Sequence, residues 1–180
     1  MTPDGMREAL SIHVRYEVNM MRSTLRQLAL NSSGVETVGE NALIESFCIH
    51  ARNLLDFFDK KRSPSDGYVA ARHFANSEYS PFQAGRPPNA LRGKLSKQVA
   101  RVTYDRSLDE QLRGPEIEQL CLLIEQEIVN FSKHLKRTYR TDWFTKPEPI
   151  VRYGLLTNET CTSLIASTMV VQVAVDTTKA

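Results

Sequence analysis

The sequence predicts an all-α fold, a bundle of four main helices plus one short helix, followed by an extended C-terminal segment. Apolar residues recur in steps of three and four, the spacing of one helix face, and turn-forming residues separate these stretches. The 180 residues are 41% hydrophobic and 24% charged, which is typical of a globular domain with a core. We therefore expect residues 1–150 to form the helical bundle domain and residues 151–180 to form an extended or mobile Thr/Val-rich tail.

The first two helices are predicted from their apolar periodicity. The first runs from Asp4 to Leu30, and its apolar residues step by four and three along one face. The second runs from Val38 to about Lys60, where apolar side chains cover about half of the circumference. A stripe that wide predicts a central helix, buried against at least two neighbours.

A long irregular connection spans Ser63 to Asn89 and contains one short predicted helix over Tyr68–Ala75. Connections of this length inside a compact domain are usually functional or are ordered by side chains of their own. The aromatic residues available for such packing are Tyr68, Phe74, Tyr79 and Phe82.

The third helix is predicted from Asn89 to about Arg106, and the fourth begins at Gly114 with a proline at the first helical position. The fourth helix continues to about Arg137, and its acidic start and basic end match the helix dipole. Beyond it, the residues around Trp143 are expected to form an extended segment packed on the bundle.

Composition limits the classes of function. The net charge is +2, so a nucleic-acid surface would have to come from local clustering. The chain has no glycine-rich phosphate loop, no nucleophile-elbow motif and no zinc-ligand spacing, so we expect neither a cofactor nor a metal.

Three widely spaced cysteines, Cys48, Cys121 and Cys161, favour a reducing compartment. Because residues 1–10 are too polar for a secretory signal and residues 164–175 are too few to span a bilayer, we expect a cytoplasmic protein without a membrane segment.

A polar stripe on the second helix is the first candidate site. At about 100° per residue, Glu45, Arg52, Asp56 and Asp59 project in one direction. The spacing of Arg52 and Asp56 predicts a direct pair. Such a stripe is either a solvated set of salt bridges or a functional face. His50 lies at the edge of the apolar arc, where we expect it to be half-buried as a structural hydrogen-bonding group or as a general acid/base.

A basic stripe on the third helix is the second candidate site. Lys94, Lys97 and Arg101 follow an i, i+3, i+7 spacing and share a face distinct from the apolar one. Such a stripe would track phosphates, with Tyr104 stacking on a base. Alternatively, these cations pair with acidic neighbours such as the glutamates that begin the fourth helix. The other cations nearby are Arg86, Arg92 and Arg106.

Two segments carry a resemblance to known proteins. The helix from Glu45 to Phe58, which contains His-Ala-Arg-Asn-Leu-Leu-Asp-Phe, and the stretch from Lys94 to Arg106 together resemble a family of uncharacterised bacterial helical proteins. The similarity implies a bacterial helical domain and carries no implication about its activity.

The arrangement of helices also resembles the HEPN superfamily of helical bundles, several of which are metal-independent ribonucleases that act as dimers. Their motif is an arginine, a polar residue, four to six residues and a histidine. Here Lys94 stands at the arginine position and Arg101 at the histidine position, so the resemblance implies a degenerate motif without the general acid/base. A literal match, from Arg7 to His13, lies on the first helix instead.

Three hypotheses remain open. The first is a non-catalytic HEPN-like domain that binds RNA or another phosphate-bearing ligand through the basic stripe and Tyr104. The second is a protein-interaction module, a homodimer or a binder of another protein, that uses the polar stripe and the long connection. The third is a metal-independent ribonuclease, for which the candidate catalytic residues are His50, Arg52, Asp56 and His13.

Overall fold

The computed structural model describes residues 2–31, 38–60, 67–100 and 112–140. These residues are 78% helical and contain no strand, so the predicted all-α fold is confirmed. No helix within these ranges is long and apolar enough to cross a membrane. The predicted end of the third helix, the segment around Trp143 and the tail at 151–180 lie outside the described residues.

Four long helices, α2, α3, α5 and α6, form the bundle, and α4 is the short helix. The helical elements are α1 (Pro3–Glu8), a π-helical segment (Ala9–Val14), α2 (Arg15–Asn31), α3 (Val38–Asp59), α4 (Ala71–Phe74), α5 (Asn89–Ala100), α6 (Gly114–His134) and a 3-10 turn (Arg137–Tyr139). The buried apolar residues of the four long helices belong to one continuous core.

The first predicted helix is helical throughout, but a π-helical segment interrupts it, so the expectation of a single α-helix is wrong. The apolar spacing gives the reason, because three successive steps between Met6 and Val18 are of four residues. Each such step overshoots a full α-helical turn by about 40°, so the stripe would drift away from the core. The wider π-turn offsets this drift. Leu10, Val14 and Val18 are accordingly all buried.

The helix α3 is the central helix that its wide apolar face predicts. It contacts α2, α4, α5 and α6. Phe57 and Phe58 both make edge contacts with Phe131 of α6, at ring-centroid distances of 5.5 and 5.8 Å. Because neighbours cover so much of α3, the polar residues Arg52 and Asp56 are only partly exposed.

The long connection is ordered by its own aromatic side chains. Its helix α4 is shorter than the predicted Tyr68–Ala75. Phe74 and Phe82 are buried and Tyr79 is half-buried, as their sequence positions predicted. Tyr68 is more exposed than these three, at 54%.

The C-terminal end of α6 is tied to the connection by backbone hydrogen bonds. The amide of Asn76 donates to the carbonyl of His134 at 2.8 Å, and the amide of Lys136 donates to the carbonyl of Phe74 at 2.9 Å. These bonds form an isolated antiparallel bridge in place of a further helical turn. The helix α6 therefore ends at His134, before the predicted Arg137.

Two buried glutamates anchor α6 on opposite sides. Glu125 is 5% exposed and accepts two hydrogen bonds from the guanidinium of Arg22 on α2, at 2.7 and 2.8 Å. Glu127 is 2% exposed and accepts hydrogen bonds from the Tyr79 hydroxyl and the Phe82 amide. Burial raises the pKa of Glu127, against the opposing effect of these donors. Residues two apart on a helix point about 200° apart, so α6 is held to α2 on one side and to the connection on the other.

Replacing Glu125 by leucine is expected to lower the free energy of unfolding by about 3–5 kcal/mol, because the half-buried guanidinium of Arg22 would lose the carboxylate that accepts two of its hydrogen bonds. Arg22→Met alone should also be costly, since it leaves the carboxylate unpaired. The double variant should recover most of the loss, because it leaves no unpaired buried charge. Chemical unfolding of the four proteins measures the coupling, and simple addition of the two losses in the double variant would contradict it.

Candidate functional site

A polar pocket lies between the C-terminal half of α3 and the first half of α5. Its volume is about 220 Å³, and its lining residues are Arg52, Leu55, Asp56, Lys60, Arg92, Leu95 and Ser96. The polar stripe thus contributes Arg52 and Asp56, while Arg92 comes from the cation-rich region predicted around the third helix. We call this cavity the α3/α5 pocket.

Helical spacing explains how these side chains meet. On α3, Arg52, Asp56 and Lys60 are four residues apart and so lie along one face. On α5, Arg92 and Ser96 have the same spacing. Since α3 and α5 are in contact, the two faces enclose the pocket between them and bring three cations around one cavity.

The predicted pairing of Arg52 with Asp56 is wrong, because Asp56 pairs with Lys60 instead. On a helix, an acidic residue four positions before a basic one pairs more favourably than the reverse order. Arg52 forms no hydrogen bond or ion pair with any of the described residues. The N–H donors of its half-buried guanidinium are therefore available to a hydrogen-bond acceptor of a ligand.

Asp59, the last member of the polar stripe, binds two arginines. It accepts a hydrogen bond from Arg92 at 2.8 Å and another from Arg86 of the long connection. Burial raises the pKa of Asp59, but the hydrogen bonds and charges of the two guanidiniums outweigh burial and hold this pKa below its ordinary value. Asp59 is therefore ionised at neutral pH, and it fixes Arg92 beside the pocket.

The basic stripe is partly neutralised within the bundle. Lys94 donates to Glu116, near the start of α6, at 2.7 Å, which is the pairing with acidic neighbours that the sequence left as the alternative. Lys97 is exposed three residues further along α5. Arg101 and Tyr104 lie outside the described residues.

His50 does not line the pocket but faces α2. Its Nδ1 lies 2.7 Å from a carboxylate oxygen of Glu17. Its ring makes an edge contact with the ring of Tyr16, at a centroid-to-centroid distance of 5.6 Å. Asn53 donates to the same carboxylate oxygen at 3.1 Å. His50 is only 7% exposed, so its predicted half-burial is wrong, because the Glu17 carboxylate supplies the partner that deeper burial requires. These contacts favour the structural interpretation of His50.

His13 is exposed on the π-helical segment, and Arg7 lies on α1 just before it. Arg7 donates its Nε–H to the carbonyl oxygen of Thr138 at 3.3 Å and pairs with Asp4. Neither His13 nor Arg7 lines the α3/α5 pocket. The literal arginine-to-histidine match is therefore separate from the pocket.

Sequence reasoning missed the groups that complete these contacts. Lys60 had a local signal, because it follows Asp56 by four residues. Glu17 had none, because it lies 33 residues from His50, where helical spacing carries no information. Spacing places Glu127 beside the apolar face of α6, but it does not predict its donors, which lie 48 and 45 residues away.

The two cysteines within the described ranges are unreactive thiols, and those ranges hold no metal-ligand cluster. Cys48 and Cys121 are free and buried, and burial raises the pKa of each thiol to about 12, so neither forms a thiolate readily. No group of three or more metal-ligating side chains is found in the part of the chain that the structure describes.

No protein-family model, no curated protein and no solved structure matches the chain. The resemblance to HEPN domains therefore stays a prediction. What the molecule does is inferred from the geometry of its own residues, above all those of the α3/α5 pocket.

Lys94→Met is expected to raise the pKa of Glu116. Burial raises this pKa, but hydrogen bonds from Lys94 and the Arg113 amide, together with their charges, outweigh burial and lower it below its ordinary value. A carboxyl group with a lowered folded-state pKa stabilises the fold above its unfolded pKa of about 4.3, and that contribution is lost as the pH falls through the folded pKa.

Carbon-13 NMR titration of the Glu116 carboxyl measures this effect. Lys97→Met is the matched control, because Lys97 lies on the same helix and should leave the Glu116 pKa unchanged. A Glu116 pKa that does not move in Lys94→Met would contradict the neutralisation of Lys94 within the bundle.

Proposed function

We propose that this protein is a non-catalytic, HEPN-like helical domain that binds RNA or another phosphate-bearing ligand through the α3/α5 pocket. The observation that carries the proposal is the placement of Arg52 and Arg92 around one small polar cavity, with Lys60 beside them. Arginine presents a planar fork of donors that matches two phosphate oxygens at once. Phosphate contacts also supply much of the affinity of proteins for nucleic-acid backbones.

Arg52 is the principal ligand-binding residue in this proposal. Its guanidinium has no acceptor among the described residues, so an incoming phosphate would complete its hydrogen bonds. Ser96 adds a neutral hydroxyl donor on the opposite wall. On the same helix, Lys97 is exposed, and Lys94 is paired with Glu116.

Binding without cleavage is favoured by the groups around the pocket. No histidine lines it, and histidine is the side chain that most often transfers protons near neutral pH. His50 is occupied by Glu17 on the other side of α3. The free thiols of Cys48 and Cys121 suit a reducing bacterial cytoplasm, where we propose that the protein acts.

A second candidate, a metal-independent ribonuclease, is favoured by one observation. His13 lies exposed on the π-helical segment, and π-helical turns are frequent at functional sites. RNA incubated with the protein and a chelator tests this candidate. Cleavage that disappears in His13→Asn supports it, and an RNA left intact by the wild-type protein removes it.

Arg52→Gln is expected to weaken the binding of a labelled single-stranded RNA by about tenfold or more, because a charge-assisted contact is lost. The slope of the logarithm of the binding constant against the logarithm of salt concentration should become shallower by about 0.7, the value for one phosphate contact on a single strand. Fluorescence anisotropy over a salt series measures both quantities.

Arg15→Gln is the matched control for this experiment. Arg15 is an exposed arginine of α2 that does not line the pocket, so its variant should bind as the wild type does. Equal losses in the two variants would point to net charge alone and contradict a role for the pocket. A wild-type protein that binds neither RNA nor a nucleoside monophosphate at low salt would overturn the proposal.

A further inference from the structure

The α3/α5 pocket is too small for a whole ligand of ordinary size. Its volume of about 220 Å³ lies below the roughly 300–1,000 Å³ of typical small-molecule sites. Two helices wall it, and its cations approach from both of them. A cavity of this size has room for one phosphate group, while the rest of the ligand would lie outside it.

The charges around the pocket exceed what one phosphodiester needs. Among the residues that the structure describes, the ionised side chains of the lining, and those bound directly to them, are Arg52, Asp56, Asp59, Lys60, Arg86 and Arg92. Four positive charges against two negative ones leave a net charge of +2. A phosphate monoester carries about −1.5 to −2 at pH 7, whereas each phosphodiester of a nucleic acid carries −1.

Arg86 supplies one of the positive charges that make the net charge around the pocket +2. It does not line the pocket, but it shares the carboxylate of Asp59 with Arg92. Without Arg86, Asp59 would neutralise Arg92, and the net charge would fall by one. With Arg86 in place, Arg92 retains a positive potential toward the cavity.

The long connection holds Arg86 in this position. The guanidinium lies 5.9 Å from the ring centroid of Phe82. Phe82 has a left-handed backbone, with φ of 58°, which is unfavourable for a residue with a side chain. The buried carboxylate of Glu127 sustains that conformation by accepting the Phe82 amide at 2.6 Å. The connection thus holds the positive charge of Arg86 close to the pocket, although Arg86 is not one of its lining residues.

We infer that the α3/α5 pocket selects a terminal phosphate monoester over an internal phosphodiester, and that Arg86 sets this selectivity through Asp59. The inference rests on the proposed function, because it names the phosphate class that the same pocket takes. The monoester belongs either to a phosphorylated RNA end or to a free nucleoside monophosphate. Both present the same dianion, and the experiment separates the two sources.

Competition for a labelled RNA phosphorylated at both ends tests the inference in the full chain. The competitors are RNAs of one sequence with a phosphate at the 5′ end, at the 3′ end or at neither end, and adenosine monophosphate. At one fixed ionic strength, one of the phosphorylated RNAs should compete about tenfold better than the unphosphorylated RNA, because its second charge meets the excess positive charge. Adenosine monophosphate that competes equally well identifies a free nucleotide as the ligand, and a much weaker effect identifies the RNA end.

Arg86→Gln should reduce this preference to about twofold and weaken the binding of unphosphorylated RNA by no more than about fivefold, because the lost charge acts on two ligand charges in a monoester and on one in a phosphodiester. Arg86→Lys should keep the preference, since it keeps the charge. Arg15→Gln is the surface control and should behave as the wild type. Circular dichroism and the unfolding midpoint establish that each variant is folded.

The outcomes separate the two proposals. Equal competition by all three RNAs, with binding that still depends on Arg52, would overturn the selectivity and leave the proposed function intact. No competition by any RNA or by adenosine monophosphate would overturn both. A preference that survives Arg86→Gln would overturn the role of Arg86 in the charge balance.

Discussion

Neighbouring elements cover most of the C-terminal half of α3, and this constraint determines where the charged groups of that half find partners. A polar side chain at a seam between helices loses water, so it requires a partner from the facing element. His50 finds one in Glu17 of α2, and Asp59 finds two in Arg86 and Arg92. These pairs connect α3 to three different parts of the chain. Ion pairs and hydrogen bonds therefore act together with the apolar core to determine how the helices and the connection pack.

Helix periodicity is a local property, and it predicted the helices for that reason. The start of α3 and the start of α6 agree with the sequence, because apolar steps mark the first and a proline in the first turn marks the second. The spacing of the apolar residues also contains the reason for the π-helical interruption of the first helix, since three steps of four residues from Met6 to Val18 do not fit 3.6 residues per turn. For the aromatic residues of the connection, the local sequence did not show which ones would be buried. Nothing local distinguishes the exposed Tyr68 from the buried Phe82.

The candidate site was predictable only within single helices. Spacing alone placed Arg52 and Asp56 on one face, but the approach of Arg92 to that face depends on how α5 packs against α3. The buried acids of α6 show the same limit. Glu125 lies 103 residues from Arg22, and Glu127 lies 45 residues from the Phe82 amide. Their burial is stable only because those distant donors meet them, and no pattern within α6 contains that information.

Arg52 departs from the charge matching that holds for the other ionised groups around the pocket. Lys60 and Arg92 each have a carboxylate, whereas Arg52 has none among the described residues. A half-buried cation without a partner costs stability, and a fold that is stable by only about 5–15 kcal/mol keeps such a group where something offsets the cost. A bound anion does so, since a ligand that binds only the folded state stabilises it by mass action. In the proposed function, phosphate binding and the stability of the α3/α5 seam are therefore linked through the guanidinium of Arg52.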